Sequence, residues 1–180
     1  MKIKYTPLLL LFILPFLNSC VNNADFDQIE LDIEPVFNTP LVYFELNQLD
    51  FLDDTGAIEI QTVTDLTDLE IFESSVVRDN LLRVNFDFLI NNTFNRRFFV
   101  QTEFLNSSND VVYAFQTLNI APGADSFSQG ENIVVSENPQ ILNATRARVT
   151  ISLVPVTTTL DPDVEQRLEF RSSGTFYLRI

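Results

Sequence analysis

The chain is short of the residues that most enzymes use for covalent and acid–base catalysis. Its 180 residues include one cysteine, no histidine and no tryptophan, and the only lysines are Lys2 and Lys4. Beyond them the chain cannot build a Ser-His-Asp triad, a lysine Schiff base, a lysine-bearing phosphate loop or a histidine-ligated zinc site. Catalysis would have to use carboxylates, tyrosine or arginine, as glycosidases do. We therefore expect a protein that is not an enzyme and holds no cofactor.

Positive charge is scarce as well. Beyond residue 20, nine arginines stand against twenty-five acidic residues, which gives a net charge of −16. Nucleic-acid binding depends on a basic surface that displaces counterions from phosphates, and the sequence offers no basic stripe. We expect no nucleic-acid partner.

The first twenty residues have the features of an export signal. Lys2 and Lys4 precede an almost unbroken apolar run over residues 8–17, which is too short to serve as a membrane span. The run ends in the sequence Leu17-Asn18-Ser19-Cys20. This ending resembles the lipobox of bacterial lipoproteins, in which the cysteine is lipidated and becomes the first residue after cleavage.

The resemblance to bacterial lipoproteins implies both an organisation and a location. Residues 1–19 would be the signal peptide, Cys20 the lipidation site, and residues 20–28 a polar tether to a domain at 29–180. Several acyl chains on Cys20 would hold the protein on a bilayer far more firmly than one chain. The implied location is the outer membrane, on either its periplasmic or its cell-surface face. Since Cys20 is the only cysteine, no intramolecular disulfide can form.

The remainder of the chain reads as short strands separated by turns. Strong alternation of apolar and polar residues predicts strands over 82–90, 98–105, 111–120 and 146–155, the first three forming an antiparallel meander. Weaker patterns predict further strands over the segments 29–36, 41–46, 57–63, 133–135, 164–171 and 175–180. Predicted breaks between them include turns at 38–40 and 172–174 and a helical turn at 139–144.

This pattern favours one all-β domain, an antiparallel two-sheet β-sandwich. The domain is similar in general architecture to immunoglobulin and fibronectin domains, although it lacks the cysteine pair and core tryptophan of true immunoglobulin domains. With its lipobox, lysine-poor body and strands rich in Phe, Asn and Asp, the chain also resembles small envelope lipoproteins of the Bacteroidota.

The segment 94–99 is the candidate binding site, because it alone gathers two arginines and three aromatic residues. Phe94, Arg96 and Arg97 would form a recognition tip for an acidic polymer or a partner strand. In the alternative interpretation, Phe98 is buried, Phe94 covers the end of the sandwich, and both arginines point into solvent.

Two acidic segments could bind calcium. One is Asp53-Asp54 before Gly56, and the other is Asp161-Pro162-Asp163 with Glu165. Neither spacing matches a complete calcium loop, and aspartates beside glycine or proline are ordinary turn residues. We therefore interpret both as turns and expect no metal site.

Together these features predict a lipid-anchored envelope protein that acts as a non-enzymatic interaction or structural module, with an envelope protein as its partner. The alternative is a glycan-binding or glycan-processing accessory protein, which exposed aromatic residues or facing carboxylates in a groove would favour. A hydrophobic pocket for a lipid is a third alternative.

Overall fold

Alternating inward and outward side chains build most of the regular structure in this chain. A computed structural model describes residues 34–180, so the predicted signal peptide, tether and Cys20 lie outside the described residues. The strands within them are β1 (Val36–Asn47), β2 (Thr62–Asp68), β3 (Leu81–Asn92), β4 (Phe98–Leu105), β5 (Val111–Ala114), β6 (Leu118–Ile120), β7 (Phe127–Val134), β8 (Arg146–Leu153) and β9 (Arg167–Leu178). Among residues 34–180, helix is confined to α1 (Ser75–Asn80) and three short 3-10 segments, Gln48–Phe51, Glu70–Glu73 and Pro139–Asn143.

The strands form two antiparallel sheets. One has four strands in the order β1-β9-β3-β7, and the other has the order β2-β8-β4-β5, with β6 also pairing with β4. Phe86 of the four-stranded sheet meets Phe104 of the five-stranded sheet edge to face, with ring centroids 5.1 Å apart. A single apolar cluster joins the two layers. The predicted all-β, antiparallel two-sheet sandwich is therefore confirmed. No described helix is long and apolar enough to cross a membrane.

The predicted three-strand meander is wrong, because β3 and β4 belong to different sheets. The chain crosses between the layers at residues 93–97, where Asn92 fixes the bend. Its side-chain oxygen accepts a hydrogen bond from the Phe94 amide at 2.9 Å, and its side-chain nitrogen donates to the Arg96 and Ala121 carbonyls. The predicted pairing of β4 with the next strand is confirmed by the β4–β5 hairpin, but the strand predicted over 111–120 is divided into β5 and β6.

Strand β9 is continuous, so the turn predicted at 172–174 is also wrong. It pairs with β1 on one side and β3 on the other through Ser172, Ser173 and Gly174. Gly174 faces inward, and a Cβ atom there would lie 2.6 Å from the ring of Phe176. The glycine therefore makes room for an aromatic ring in the core, and it does not mark a turn.

Strand β1 is likewise longer than predicted. It runs through Pro40, where a β-bulge shifts the register with β9 before Val42, so there is no turn at 38–40. Proline is tolerated because β1 is an edge strand. Most of the strand predicted at 29–36 lies outside the described residues.

The strand predicted at 57–63 with an inward face is wrong. Ile58 and Ile60 are 65% and 42% exposed, and β2 starts only at Thr62. By contrast, β8 and the helical turn starting at Pro139 lie where the sequence predicted them.

Candidate functional site

The predicted recognition tip is divided by the fold between the interior and the surface. Phe94 and Phe98 are fully buried, and Phe51 packs against both of them at centroid distances of 5.7 and 5.3 Å. Arg96 is only 7% exposed. Exposure of Arg96, which both interpretations of this segment assumed, is therefore wrong.

Arg96 forms a buried ion pair at one end of the sandwich. Its guanidinium donates to both carboxylate oxygens of Glu59, at 2.9 and 3.3 Å, and to the Thr158 and Val154 carbonyls at 3.0 Å each. Glu59 also accepts a hydrogen bond from the Leu160 amide at 2.7 Å. Arg96 and the Leu160 amide together hold the pKa of Glu59 below its usual value. The pair fastens the 154–166 loop to the body of the domain.

Arg97 points the other way. Its guanidinium donates to the Asn119 side chain at 2.7 Å, and Phe99, on the same face, is 42% exposed. Arg97 is thus available to a partner, whereas Phe94 and Arg96 are not. A binding role for Arg97 stays a prediction.

The two acidic segments carry turn hydrogen bonds. Asp53 accepts hydrogen bonds from the Thr55 hydroxyl and from the backbone amides of Ala57 and Ile58. These bonds lower the pKa of Asp53, and the bond from the Ile58 amide contributes most. Asp161 accepts one from the Asp163 amide at 3.0 Å. The interpretation of both segments as turns is confirmed by these contacts. Within residues 34–180, no group of three or more potential metal ligands comes together.

The more promising surface is the outer face of the four-stranded sheet, here called the sheet face. Its side chains alternate with those of the core, and strand register places them in rows that run across the strands. The rows are Val36-Tyr177-Arg83-Val134, Asn38-Thr175-Asn85-Asn132, Pro40-Ser173-Asp87-Gly130, Tyr43-Arg171-Leu89-Ser128 and Glu45-Glu169-Asn91.

The third of these rows forms the floor of a trough across the sheet. It holds a proline, a serine, an aspartate and a glycine, whose side chains are short, whereas the fourth row contains Arg171 and Tyr43. A depression of about 370 Å³ lies there, lined by Pro40, Asp87, Phe88, Leu89, Ser128, Arg171, Ser172 and Ser173. We refer to this depression, with Gly130 beside Asp87, as the trough.

Asp87 is the chemically distinctive residue of the trough. It is exposed, and no hydrogen bond or ion pair within residues 34–180 engages its carboxylate. Both register partners of Asp87 are small, Ser173 on β9 and Gly130 on β7. A free acceptor therefore stands in the middle of the sheet face, between two small residues.

Ordered polar side chains form one wall of the trough. Arg83 lies over the ring of Tyr177, with its guanidinium carbon 3.5 Å from the ring centroid. The neighbouring row is an amide ladder in which Asn38 donates to the Thr175 hydroxyl at 2.9 Å and Asn132 donates to Asn85. These contacts fix the side chains before anything binds.

Arg171 forms the opposite wall. Its guanidinium donates to the Glu169 carboxylate and lies 5.7 Å from the Tyr43 ring centroid. The same carboxylate accepts a hydrogen bond from the Asn91 side-chain amide at 3.0 Å. The bonds from Arg171 and Asn91 lower the pKa of Glu169, and the same pairing raises the pKa of Arg171. Both groups are therefore charged at neutral pH.

The sheet face is electrically balanced, although the chain is strongly acidic. Its outward side chains include three arginines and three acids, namely Arg83, Arg167, Arg171, Glu45, Asp87 and Glu169. Arg167 also pairs with Glu45 at 3.1 Å. The excess negative charge of the protein thus lies elsewhere.

The alternation in the strand predicted over 82–90 puts Asp87 on its polar side, but the sequence did not predict the trough. Ser173 was assigned to a turn, and Gly130 was placed before a short strand. One signal was available for Ser173: the inward set Leu168, Phe170, Ser172, Gly174, Phe176 and Leu178 keeps a period of two through the serines and the glycine.

No protein-family model matches the chain, and no curated protein is significantly similar to it in sequence. Among solved structures, a "putative secreted protein" from Parabacteroides distasonis is similar over 64% of this chain and 38% of its own, with 11% identity and a TM-score of 0.47. A T=1 particle structure derived from infectious bursal virus matches over 82% of this chain and 32% of its own, with 11% identity and a TM-score of 0.46.

The enzymatically active domain of tailspike protein 4 from bacteriophage CBA120 matches over 82% of this chain and 19% of its own, with 12% identity and a TM-score of 0.37. The chain therefore spans less than two-fifths of each of these three structures. Likenesses this loose establish no family and no function for the chain.

Proposed function

We propose that this chain is a non-enzymatic binding module of the cell envelope, anchored through lipid on Cys20, and that it binds its partner on the sheet face. The observation that carries the binding role is the trough, with the unpaired Asp87 carboxylate between two preorganised walls. The anchor rests on the lipobox-like sequence that ends at Cys20.

The non-enzymatic part of the proposal is supported by the residues that surround Asp87. The trough presents one carboxylate among serines, a proline, a leucine and an arginine. Hydrolysis of a glycosidic bond needs two carboxyl groups across a cleft, about 5 to 10 Å apart. No second acid lines the depression. The arrangement suits recognition of a partner better than chemistry on it.

Site-specific photocrosslinking in intact cells tests the binding role. A benzophenone amino acid replaces Ser128, which lines the trough, and in a matched control it replaces Gln101 on the outer face of the five-stranded sheet. Both residues are exposed strand residues. Benzophenone inserts into C–H bonds of protein and glycan alike, so we expect a high-mass adduct from position 128 only. Equal adducts at both positions, or none at 128, would contradict the proposal.

The anchor is tested separately by mass spectrometry of the mature N-terminus. We expect a chain that begins at Cys20 and carries acyl groups, and we expect Cys20→Ser to release the protein from membranes. An unmodified N-terminus, or cleavage at another position, would exclude the lipid anchor.

A further inference from the structure

We infer that the occupant of the trough is an uncharged polysaccharide, bound along the short-side-chain row and held by the Asp87 carboxylate. This inference rests on the proposed binding function and names its ligand class.

The charge distribution favours a neutral ligand. An acidic polymer would be repelled by a chain of net charge −14, and a basic partner would be drawn to acidic surface everywhere. The sheet face is the part of the surface where three arginines balance three acids. An uncharged ligand is not repelled electrostatically there, so its affinity depends on short-range hydrogen bonds.

The hydrogen-bonding groups of the trough match hydroxyl groups. Asp87 can only accept, so it can take two hydroxyl donors at once, while Arg171 can only donate. The hydroxyls of Ser128 and Ser173 can do either. A sugar ring offers neighbouring hydroxyls that both donate and accept, and its C–H faces can rest on apolar atoms such as those of Pro40. Crossing four strands, the row is about 14 Å long, which accommodates a few sugar units.

Gly130 lies beside Asp87 in the interior of β7. Glycine weakens a strand interior by about 0.5–1 kcal/mol, and it often marks a place where a ligand approaches closely. Gly56 and Gly123 have positive φ, Gly174 makes room for Phe176, and Gly130 makes room for the Asp87 side chain. A Cβ atom there would meet the Asp87 carboxylate at 3.2 Å. A larger side chain at position 130 would therefore displace the Asp87 carboxylate.

Both edges of the four-stranded sheet and one edge of the five-stranded sheet argue against an added peptide strand as the occupant. Edge strand β7 carries the inward-facing Glu131, held by the Tyr113 hydroxyl at 2.5 Å, and edge strand β2 carries the inward-facing Asp65. Edge strand β1 contains the Pro40 bulge. Inward charges, proline and bulges are the usual means of preventing strand addition.

A docked globular protein also fits poorly. Stable protein interfaces bury about 800 Å² per partner around an apolar centre. The exposed large apolar side chains of the sheet face are Val36, Tyr43 and Leu89. They are separated, since Val36 is three rows from the other two and Arg171 stands between Tyr43 and Leu89. The centre of the face is polar.

Affinity electrophoresis of the purified full chain tests the inference. Native gels contain dextran, mannan, xylan or a mixed-linkage β-glucan as neutral probes and polygalacturonate as an acidic probe. We expect at least one neutral probe to retard the wild-type chain. Asp87→Ala and Gly130→Val should weaken that retardation about tenfold or more, because each removes or blocks the carboxylate.

Asp54→Asn is the matched control, since it removes one exposed turn carboxylate far from Asp87 in sequence. Melting temperatures of all variants verify that each is folded. The inference is overturned if no neutral probe retards the chain, if only polygalacturonate does, or if the trough variants are retarded as strongly as wild type. A protein adduct from position 128 without any polysaccharide retardation would leave the proposed binding function standing and remove this inference alone.

Discussion

At the scale of single residues, Arg96 and Arg97 show how position decides what a side chain does. From Phe94 to Val100 the chain alternates between buried and exposed residues, which puts Arg96 inside and Arg97 outside. The sequence shows this alternation only from Phe98 onward, and a guanidinium is not expected on the inner side. Its burial requires Glu59, 37 residues earlier, and the carbonyls of Val154 and Thr158. The sequence of residues 94–100 contains no feature that predicts those partners.

We predict that Arg96→Ala lowers the free energy of unfolding by about 3–5 kcal/mol, because it leaves the Glu59 carboxylate buried without its counter-ion. Arg97→Ala, one residue away, should change it by no more than about 0.5 kcal/mol, since its side chain is exposed. Urea unfolding of both variants measures the difference. If the two substitutions cost the same, the Arg96 pair does not hold the 154–166 loop.

The pKa of Glu59 also predicts how stability depends on pH. Its pKa is lowered in the folded state from an ordinary value of 4.5, chiefly by the hydrogen bond from Arg96. A lowered folded pKa stabilises the fold above the unfolded pKa, and that stability is lost as pH falls through the folded value. The stability difference between wild type and Glu59→Gln should therefore be full at neutral pH and shrink below about pH 4.5. Urea titrations of both proteins at several pH values check this, and a difference that stays constant into acid would contradict it.

At the scale of elements, two glycines on the strands that flank β3 have different roles. Gly174→Ala should lower the free energy of unfolding by about 1–3 kcal/mol, because the new methyl group would overlap the Phe176 ring. Gly130→Ala is the matched control. Its neighbour, the exposed Asp87 side chain, can rotate away, so stability should stay constant or rise by up to about 1 kcal/mol.

Thermal and urea unfolding of the two alanine variants measure this contrast. Equal destabilisation would mean that the Asp87 side chain cannot move away from position 130. A stable Gly174→Ala variant would instead mean that the Phe176 ring can move aside.

The same elements show how far the sequence predicts this fold. The alternation of apolar and polar residues predicted β3, β4 and β8 and their inward faces, because successive side chains of a strand point to opposite faces of the sheet and one face is exposed to solvent. It did not show that β3 and β4 lie in different sheets, since a period of two gives the inner side of a strand and not its neighbour. It also failed at Pro40 and Gly174, where residues typical of turns continue a strand. The trough combines β1, β3, β7 and β9, so it depends on register between distant segments, which single-sequence patterns do not contain.

At the scale of the whole molecule, charge separates the sheet face from the rest of the surface. The chain has 25 acidic residues and 11 basic ones, yet the sheet face has three of each sign. Arg167 and Arg171 pair with Glu45 and Glu169, and Arg83 lies on Tyr177. Asp87 is therefore left as the acceptor that a ligand can use.

This separation predicts that salt affects folding and binding differently. Raising salt from about 50 to about 500 mM shortens the screening length from roughly 14 to roughly 4 Å, which weakens repulsion among the acids and should raise the melting temperature. Binding of a neutral polysaccharide forms no ion pair and releases few counterions, so its affinity should change by less than about twofold over that range. Affinity electrophoresis and thermal unfolding at matched salt concentrations measure both. A steep loss of affinity with increasing salt would show that the trough binds a charged ligand, because salt does not screen the binding of an uncharged polysaccharide.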